Sequence, residues 1–202
     1  MGAETQRWSF TRRGNTLEYH FFGPDITERW TQDARGNASY VRVFHRERTA
    51  VRYMTGDLLA YGVQPDWLRL THVVAPPADD GFAKGKAHAV LGRAAQRYQR
   101  AFGKKQVEVA WLAELGIPGE VRISVPGQKP VQVRLVELGT EPGASVDLQA
   151  FRQIDVTDFG DMERDPFVVR HHEDPLPAAV PTLAVNMKRP ARGPLAASAH
   201  RH

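Results

Sequence analysis

The sequence has no cysteine among its 202 residues. Disulfide bonds, thiolate nucleophiles and cysteine-ligated zinc or iron–sulfur centres are therefore excluded. Long apolar runs are missing as well, since no stretch approaches the roughly 18 residues of a membrane-spanning helix. The first residues carry charge from Glu4 onward and lack the apolar run of a signal peptide. We therefore expect a protein without membrane contact, in the cytoplasm or in a virus particle (virion) assembled inside a cell.

Acidic residues are missing from one part of the chain where basic residues are concentrated. Residues 84–105, KGKAHAVLGRAAQRYQRAFGKK, contain seven lysines and arginines and no carboxylate. Residues 108–174 have the opposite excess, with thirteen acidic and six basic residues. The net charge of +4 conceals this separation. The separation indicates more about binding partners than the total does.

Short strands and turns are predicted on both sides of the basic segment. Alternating apolar residues predict strands at 8–13, 16–22, 39–45, 49–53, 67–74, 106–112, 120–125 and 131–138. Asp25 is predicted to cap a short helix that ends near Trp30, and residues 56–61 a single helical turn. Residues 146–154 fit either a helix or a strand.

The basic segment has the longest helical pattern in the chain, and Asp79 and Asp80 stand where they could cap its start. At 100° per residue, five cations fall within about 40° of one line along such a helix. They are Lys86, Arg93, Arg97, Arg100 and Lys104. Apolar residues, including Tyr98 and Phe102, lie on a different side. We therefore predict an α+β fold in which one long helix, residues 82–104, packs on a mainly antiparallel sheet.

A row of cations with no carboxylate one turn away gains nothing from helix salt bridges, so a negative partner should compensate it. Three partners fit: the phosphate backbone of a nucleic acid, the acidic segment of the same chain, and an acidic surface on a neighbouring protein subunit. Basic residues near the C-terminus are also expected to contact such a negative partner. The predicted binding residues are Lys84, Lys86, Arg93, Arg97, Arg100, Lys104, Lys105, Lys188, Arg189 and Arg192.

Residues 155–174 hold the densest collection of possible metal ligands. Asp161, Glu163 and Asp165 imitate the start of a calcium loop, but Pro166 stands where the loop needs glycine and His172 where it needs a bidentate acid. No phosphate-binding loop, G-x-S-x-G or H-E-x-x-H sequence occurs. We therefore predict no catalytic residue, no metal ligand and no cofactor.

The composition changes at residue 175, where a segment rich in proline and alanine begins. We predict a single α+β domain over residues 1–174 and an extended basic tail over 175–202. The expected function is non-catalytic: an oligomeric subunit of a larger assembly, such as a virus particle or a nucleoprotein complex, that contacts polyanion or neighbouring subunits through the helix and the C-terminal arm. The alternative is a metal-dependent nuclease or hydrolase that uses residues 155–174.

Overall fold

A computed structural model gives the fold of this chain and describes residues 6–139 and 144–171. Within those residues, strands dominate and form one sheet of six strands and another of five. The elements follow in this order: β1 (Trp8–Arg13), β2 (Thr16–Phe21), β3 (Ile26–Gln32), β4 (Ala38–Phe44), β5 (Thr49–Tyr53), α1 (Thr55–Ala60), α2 (Trp67–His72), β6 (Ala83–Val90), β7 (Arg93–Phe102), β8 (Lys105–Leu112), β9 (Ile117–Ser124), β10 (Val131–Arg134), a 3-10 helix (Leu148–Ala150), β11 (Arg152–Asp155), a second 3-10 helix (Val156–Asp161) and α3 (Pro166–His171).

Each sheet is a run of consecutive antiparallel strands. The first sheet has the order β1-β2-β3-β4-β5-β11, and the second has the order β10-β9-β8-β7-β6. The exception is β11, which returns late in the chain and pairs parallel to β5. Neighbouring strands in such a meander need only short turns between them. Gly14, which has φ of +56°, and Gly127, with φ of +78°, lie in the turns of the β1–β2 and β9–β10 hairpins.

The predicted α+β fold with one long helix is wrong. Residues 82–104 form no helix, and residues 83–102 form the β6–β7 hairpin of a mainly β-sheet protein. Leu91 and Gly92 make its turn, with φ values of +50° and +74°, which suits a primed hairpin turn. Gly103, at φ of +59°, lies in the next turn. Glycines that would weaken a helix therefore mark the points where the chain reverses direction.

Two shorter predictions are also wrong, and each exchanges a helix with a strand. The helix expected after Asp25 is strand β3, which pairs with neighbours on both sides. The strand expected at 67–74 is helix α2, whose first turn is capped by the Asp66 side chain accepting from the Arg69 backbone N–H at 3.2 Å. The helical turn expected at 56–61 is confirmed as α1. The predicted C-terminal tail, 175–202, lies outside the described residues.

One hydrophobic cluster contains side chains of both sheets, so the two sheets pack against each other through it. The first sheet contributes aromatic residues that include Tyr19, Trp30 and Tyr40, and the second contributes Val109 and Trp111. Side chains in a strand alternate between two faces, so the residues between these positions point away from the core. The polar residues of the second sheet are thereby placed together on its outer face.

Helix α2 connects the two sheets. The Tyr19 hydroxyl of β2 donates to the Leu70 carbonyl at 2.5 Å, and His72 Nδ1 donates to the Gly116 carbonyl at 2.6 Å. The Arg12 guanidinium donates to the Leu115 carbonyl at 3.0 Å. These hydrogen bonds hold the first sheet, the helix and the β8–β9 turn as one unit.

A charged pair lies inside the core. Glu28 of β3 and Arg42 of β4 face each other in register, and both side chains are buried. A buried charge is tolerated when an opposite charge compensates it. Burial, followed by the nearby Glu28 charge, raises the pKa of Tyr40, so that phenol stays protonated and can donate.

Candidate binding groove on the second sheet

The predicted cationic stripe does not exist, because residues three apart in a strand point to opposite faces. Tyr98 and Phe102 of β7 pack against the main core, so Arg100 lies on the core side of the sheet. Ala95 belongs to a separate small cluster on the other face, and Arg97 shares that outer face. The alignment that an α-helix would have produced is therefore lost.

Two of the predicted cations are held by carboxylates of the same chain. Arg93 Nη1 lies 3.1 Å from Glu114 Oε1, and Arg100 Nη1 lies 3.6 Å from Asp80 Oδ1. The Arg100 guanidinium also lies 4.4 Å from the centroid of the Phe102 ring, a cation–π contact. These two arginines stabilise the ends of the β6–β7 hairpin. The first pair uses a carboxylate from the acidic segment 108–174, which was one of the predicted partners.

Of the remaining predicted cations, two lie in a groove on the outer face of the second sheet, and the others that the structure describes lie at strand ends or in a turn. Lys84 and Lys104 are exposed, the first at the start of β6 and the second in the β7–β8 turn, while Lys105 is half-buried at the start of β8. Lys86 and Arg97 both line a groove on the outer face of the second sheet. Lys188, Arg189 and Arg192 lie outside the described residues.

This groove has a volume of about 580 Å³ and crosses all five strands of the sheet. Its polar lining includes four cations, two carboxylates, a histidine and two glutamines. They are Lys86, Arg97, Arg122, Arg134, Glu108, Glu120, His88, Gln99 and Gln132. The cations thus come from four different strands and outnumber the carboxylates.

Strand register explains how these side chains meet. Arg97 of β7 pairs with Ala110 of β8, which pairs with Glu120 of β9 and then with Arg134 of β10. Adjacent strands lie about 4.8 Å apart, so this row is about 14 Å long. The methyl side chain of Ala110 leaves open space between the longer side chains on either side. A second row has Gln99, Glu108, Arg122 and Gln132 in the same order.

An irregularity in β6 shapes one end of the groove. The register with β7 shifts between Lys84 and Ala87, and the side-chain amide of Gln96 donates to the Gly85 carbonyl at 2.7 Å. A Cβ at Gly85 would lie 3.4 Å from the Arg97 Cβ, an ordinary van der Waals contact. Bulges can redirect a neighbouring side chain, and Lys86, which lies within the shifted stretch, lines the groove.

Glu120 is the most strongly held carboxylate in the groove. It accepts hydrogen bonds from Gln132 Nε2 at 2.7 Å and Arg134 Nε at 3.2 Å, and His88 Nε2 lies 4.0 Å away. Burial acts to raise its pKa, but the hydrogen bonds from Arg134 and Gln132 and the charge of Arg97 outweigh burial, so the pKa of Glu120 lies below its usual value. It therefore stays ionised at neutral pH and organises the cations around it.

Arg122 and Arg134 are groove residues that the sequence analysis missed. Both lie in strands that it predicted, at 120–125 and 131–138, and both alternate with apolar residues such as Val121 and Val133. That alternation was sufficient to place the two arginines on one outer face. The binding prediction was instead based on residues 84–105, because the basic residues are densest there.

The acidic segment 155–174 forms local contacts. Asp165 accepts from Arg152 Nη2 at 2.6 Å and from the Phe167 backbone N–H at 2.9 Å, and Asp155 lies 3.3 Å from Arg52. Among the described residues, no group of three metal-ligand side chains occurs in this segment; the one such group lies in the first sheet. The predicted ligand candidates His172, Glu173 and Asp174 lie outside the described part.

None of the helices in residues 6–139 and 144–171 combines the length and hydrophobicity required to cross a bilayer.

Comparisons with known proteins show no family for this chain. No known protein family matches the sequence, and no curated protein matches it. Among solved structures, the chain is similar to PNGF-II in the P21 space group, with 11% sequence identity and a TM-score of 0.38 over 81% of this chain and 30% of that chain. The chain thus spans less than a third of the length of that protein. A likeness this distant gives no evidence about function.

Proposed function

We propose that the protein is a non-catalytic binding subunit of a nucleoprotein assembly and that its groove on the second sheet holds a nucleic-acid backbone. One observation carries this proposal: four cations from four strands line a single open groove. The expectation of polyanion binding from sequence is thereby retained, but on a different surface. The helical stripe that first motivated it is absent.

Charge supports an anionic ligand. Within the described residues, Lys86 and Arg122 have no carboxylate within ion-pair distance, and Arg97 has only the longer-range attraction of Glu120. Four cations against two carboxylates leave the lining with an excess of positive charge, and such an excess attracts polyanions. Arg134 is the exception, because its Nε already donates to Glu120.

The dimensions of the groove favour an extended ligand. Lys86 on β6 and Arg134 on β10 are separated by four strand spacings, or about 19 Å. One strand of a duplex carries a phosphate about every 3.4 Å along its axis, so several phosphates fit across this distance. A single small anion would contact only part of the lining.

The lining also predicts how selective the binding is. Tyr98 borders the groove, but its ring packs against the core. Among the described lining residues there is thus no aromatic side chain on the outer face for bases to stack on. We expect contacts with phosphates and hence little sequence preference.

Fluorescence anisotropy with labelled 20-nucleotide oligonucleotides, at several salt concentrations, tests the proposal. Four phosphate contacts predict a log–log slope of about −2.8 for a single strand and about −3.6 for a duplex. Replacing Arg97, Arg122 and Arg134 with glutamine should bring the single-strand slope to about −0.7. A matched control replaces Lys84, Lys104 and Arg164, three exposed cations outside the groove, and should keep the original slope.

Two results would reject nucleic-acid binding by the groove. In the first, the groove variant has the same salt slope as the wild type. In the second, the salt slope becomes shallower in the control variant but not in the groove variant. A wild type that binds polyglutamate but no oligonucleotide would instead support the alternative of an acidic protein partner.

Mass photometry of the full chain tests the assembly part of the proposal. Increasing oligonucleotide length should increase the number of subunits per complex. A single subunit per complex at every length would contradict an assembly role without contradicting binding in the groove.

A further inference from the structure

A second cluster of reactive side chains lies far along the sequence from the groove residues, on the first sheet. His20 is near the end of β2, Asp25 is in the β2–β3 turn, and His45 directly follows β4. One ring nitrogen of each histidine and one carboxylate oxygen of Asp25 all lie within 4.8 Å of one another. His20 Nε2 and Asp25 Oδ1 are 3.9 Å apart. Three potential ligands thus converge from three separate points of the chain.

The backbone holds these ligands in place. The His45 backbone N–H donates to the Asp25 carbonyl at 3.1 Å, and Arg46 Nη2 donates to the Gly23 carbonyl at 2.9 Å. Asp25 has φ of +59°, a left-handed conformation that aspartate and asparagine tolerate better than most residues. The turn that carries the carboxylate is therefore tied to the segment that carries His45.

Thr27 organises the two imidazoles. Its side chain is buried with 2% exposure, and its Oγ1 lies 2.9 Å from His20 Nδ1 and 2.8 Å from His45 Nε2. A hydroxyl has two lone pairs, so it can accept from both rings at once, which leaves the other nitrogen of each ring unprotonated and able to bind a metal. If it accepts from His20 Nδ1–H, the lone pair of His20 Nε2 is directed to the side of Asp25. A hydrogen bond of this kind to the second nitrogen of a histidine is the usual support for a metal ligand.

We propose that His20, Asp25 and His45 form a binding site for a divalent transition-metal ion, with Zn²⁺ as the best fit. Two imidazoles and one carboxylate match its ligand preference, while Mg²⁺ and Ca²⁺ prefer oxygen ligands alone. Zinc–ligand bonds of about 2.0–2.1 Å in a tetrahedron place ligand atoms about 3.4 Å apart. The observed 3.9 Å between His20 and Asp25 reaches that value with a small side-chain rotation. Three protein ligands leave a fourth position for water or another ligand.

Titration of the metal-free full chain with Zn²⁺ by calorimetry, and with Co²⁺ by visible absorption, tests this site. The wild type should bind one equivalent that His20→Gln, His45→Gln and Asp25→Asn each weaken by more than tenfold. Thr27→Val should weaken binding by about 10- to 100-fold, and Thr27→Ser should restore it. Bound Co²⁺ should give the intense absorption of tetrahedral coordination, which Asp25→Asn should remove.

The control is His88→Gln, which removes a half-buried histidine that lies near a carboxylate in the second sheet. It should leave zinc binding unchanged. Thermal unfolding without metal identifies any variant that fails to fold. If a histidine variant fails to fold, Asp25→Asn still tests the site, because asparagine tolerates the left-handed backbone of this turn as aspartate does. Zinc affinity that is equal in the wild type and in the folded cluster variants would overturn the proposal, as would binding of Mg²⁺ in preference to Zn²⁺.

Discussion

Removing a negative charge from the groove should strengthen the proposed binding of nucleic acid, and Glu108 is the residue that tests this most clearly. Its side chain is exposed, and it faces Arg122 in register across β8 and β9. Cross-strand partners have Cβ atoms about 4.5–5.5 Å apart. A phosphate bound by Arg122 would therefore lie on the order of 7 Å from the Glu108 carboxylate.

Coulomb's law gives the size of the effect. Two like charges about 7 Å apart in water repel by about 0.6 kcal/mol, which corresponds to roughly a threefold change in affinity. Glu108→Gln should therefore lower the Kd for a single-stranded oligonucleotide about threefold at low salt. The number of phosphate contacts does not change, so the slope of log Kd against log salt concentration should remain the same.

Arg122→Gln should have the opposite effect on affinity and should also change the salt slope. It removes one phosphate contact, so affinity falls and the slope becomes shallower by about 0.7 for a single strand. Glu114→Gln is the matched control for Glu108→Gln, because Glu114 pairs with Arg93 outside the groove lining. Anisotropy at four or more salt concentrations measures both quantities. The electrostatic reasoning is refuted if Glu108→Gln weakens binding, or if Glu114→Gln strengthens it as much.

Three further predictions concern stability. Gly119→Ala should cost about 1–3 kcal/mol of unfolding free energy in chemical denaturation, because the new Cβ would lie 2.8 Å from Val90 Cγ1 of β6. The control Gly56→Ala, with open space at its Cβ, should not destabilise the protein. Tyr19→Phe should cost about 1–2 kcal/mol by leaving a carbonyl of α2 without its donor, and an unchanged denaturation midpoint would show that this bond is unimportant. The hydrogen bond from Arg152 lowers the pKa of Asp165, so its stabilisation is present above about pH 4 and is lost as pH falls through the lowered value. Thermal melts should therefore show Asp165→Asn as less stable than the wild type at pH 7, with the difference shrinking at acidic pH; a constant difference would contradict this.

Much of the sheet structure could be predicted from local patterns. The hairpin from Trp8 to Phe21 and the one from Ile117 to Arg134 combine alternating apolar residues with turn residues that accept positive φ. In those segments only the strand period fits the sequence. The helix at 67–72 was missed because its short apolar run satisfies a strand as well as a single helical turn.

The basic segment shows why the rest could not be predicted. Tyr98 and Phe102 are four residues apart, a spacing that places them on one face of a helix and also on one face of a strand. The alanines between them suit a helix by intrinsic preference. Pairing of β7 with both β6 and β8 overrides that preference, because tertiary context commonly outweighs a small local propensity.

The sequence by itself determined the absence of cysteine chemistry, the separation of charge along the chain and most of the individual strands, because these depend on composition and on neighbouring residues alone. Only the tertiary structure decided which charges meet. Arg97, Arg122 and Arg134 become neighbours through strand register, and His20, Asp25 and His45 meet at the end of one sheet. Contacts of this kind depend on how separate strands pair and on which face each side chain occupies, and no local pattern specifies both.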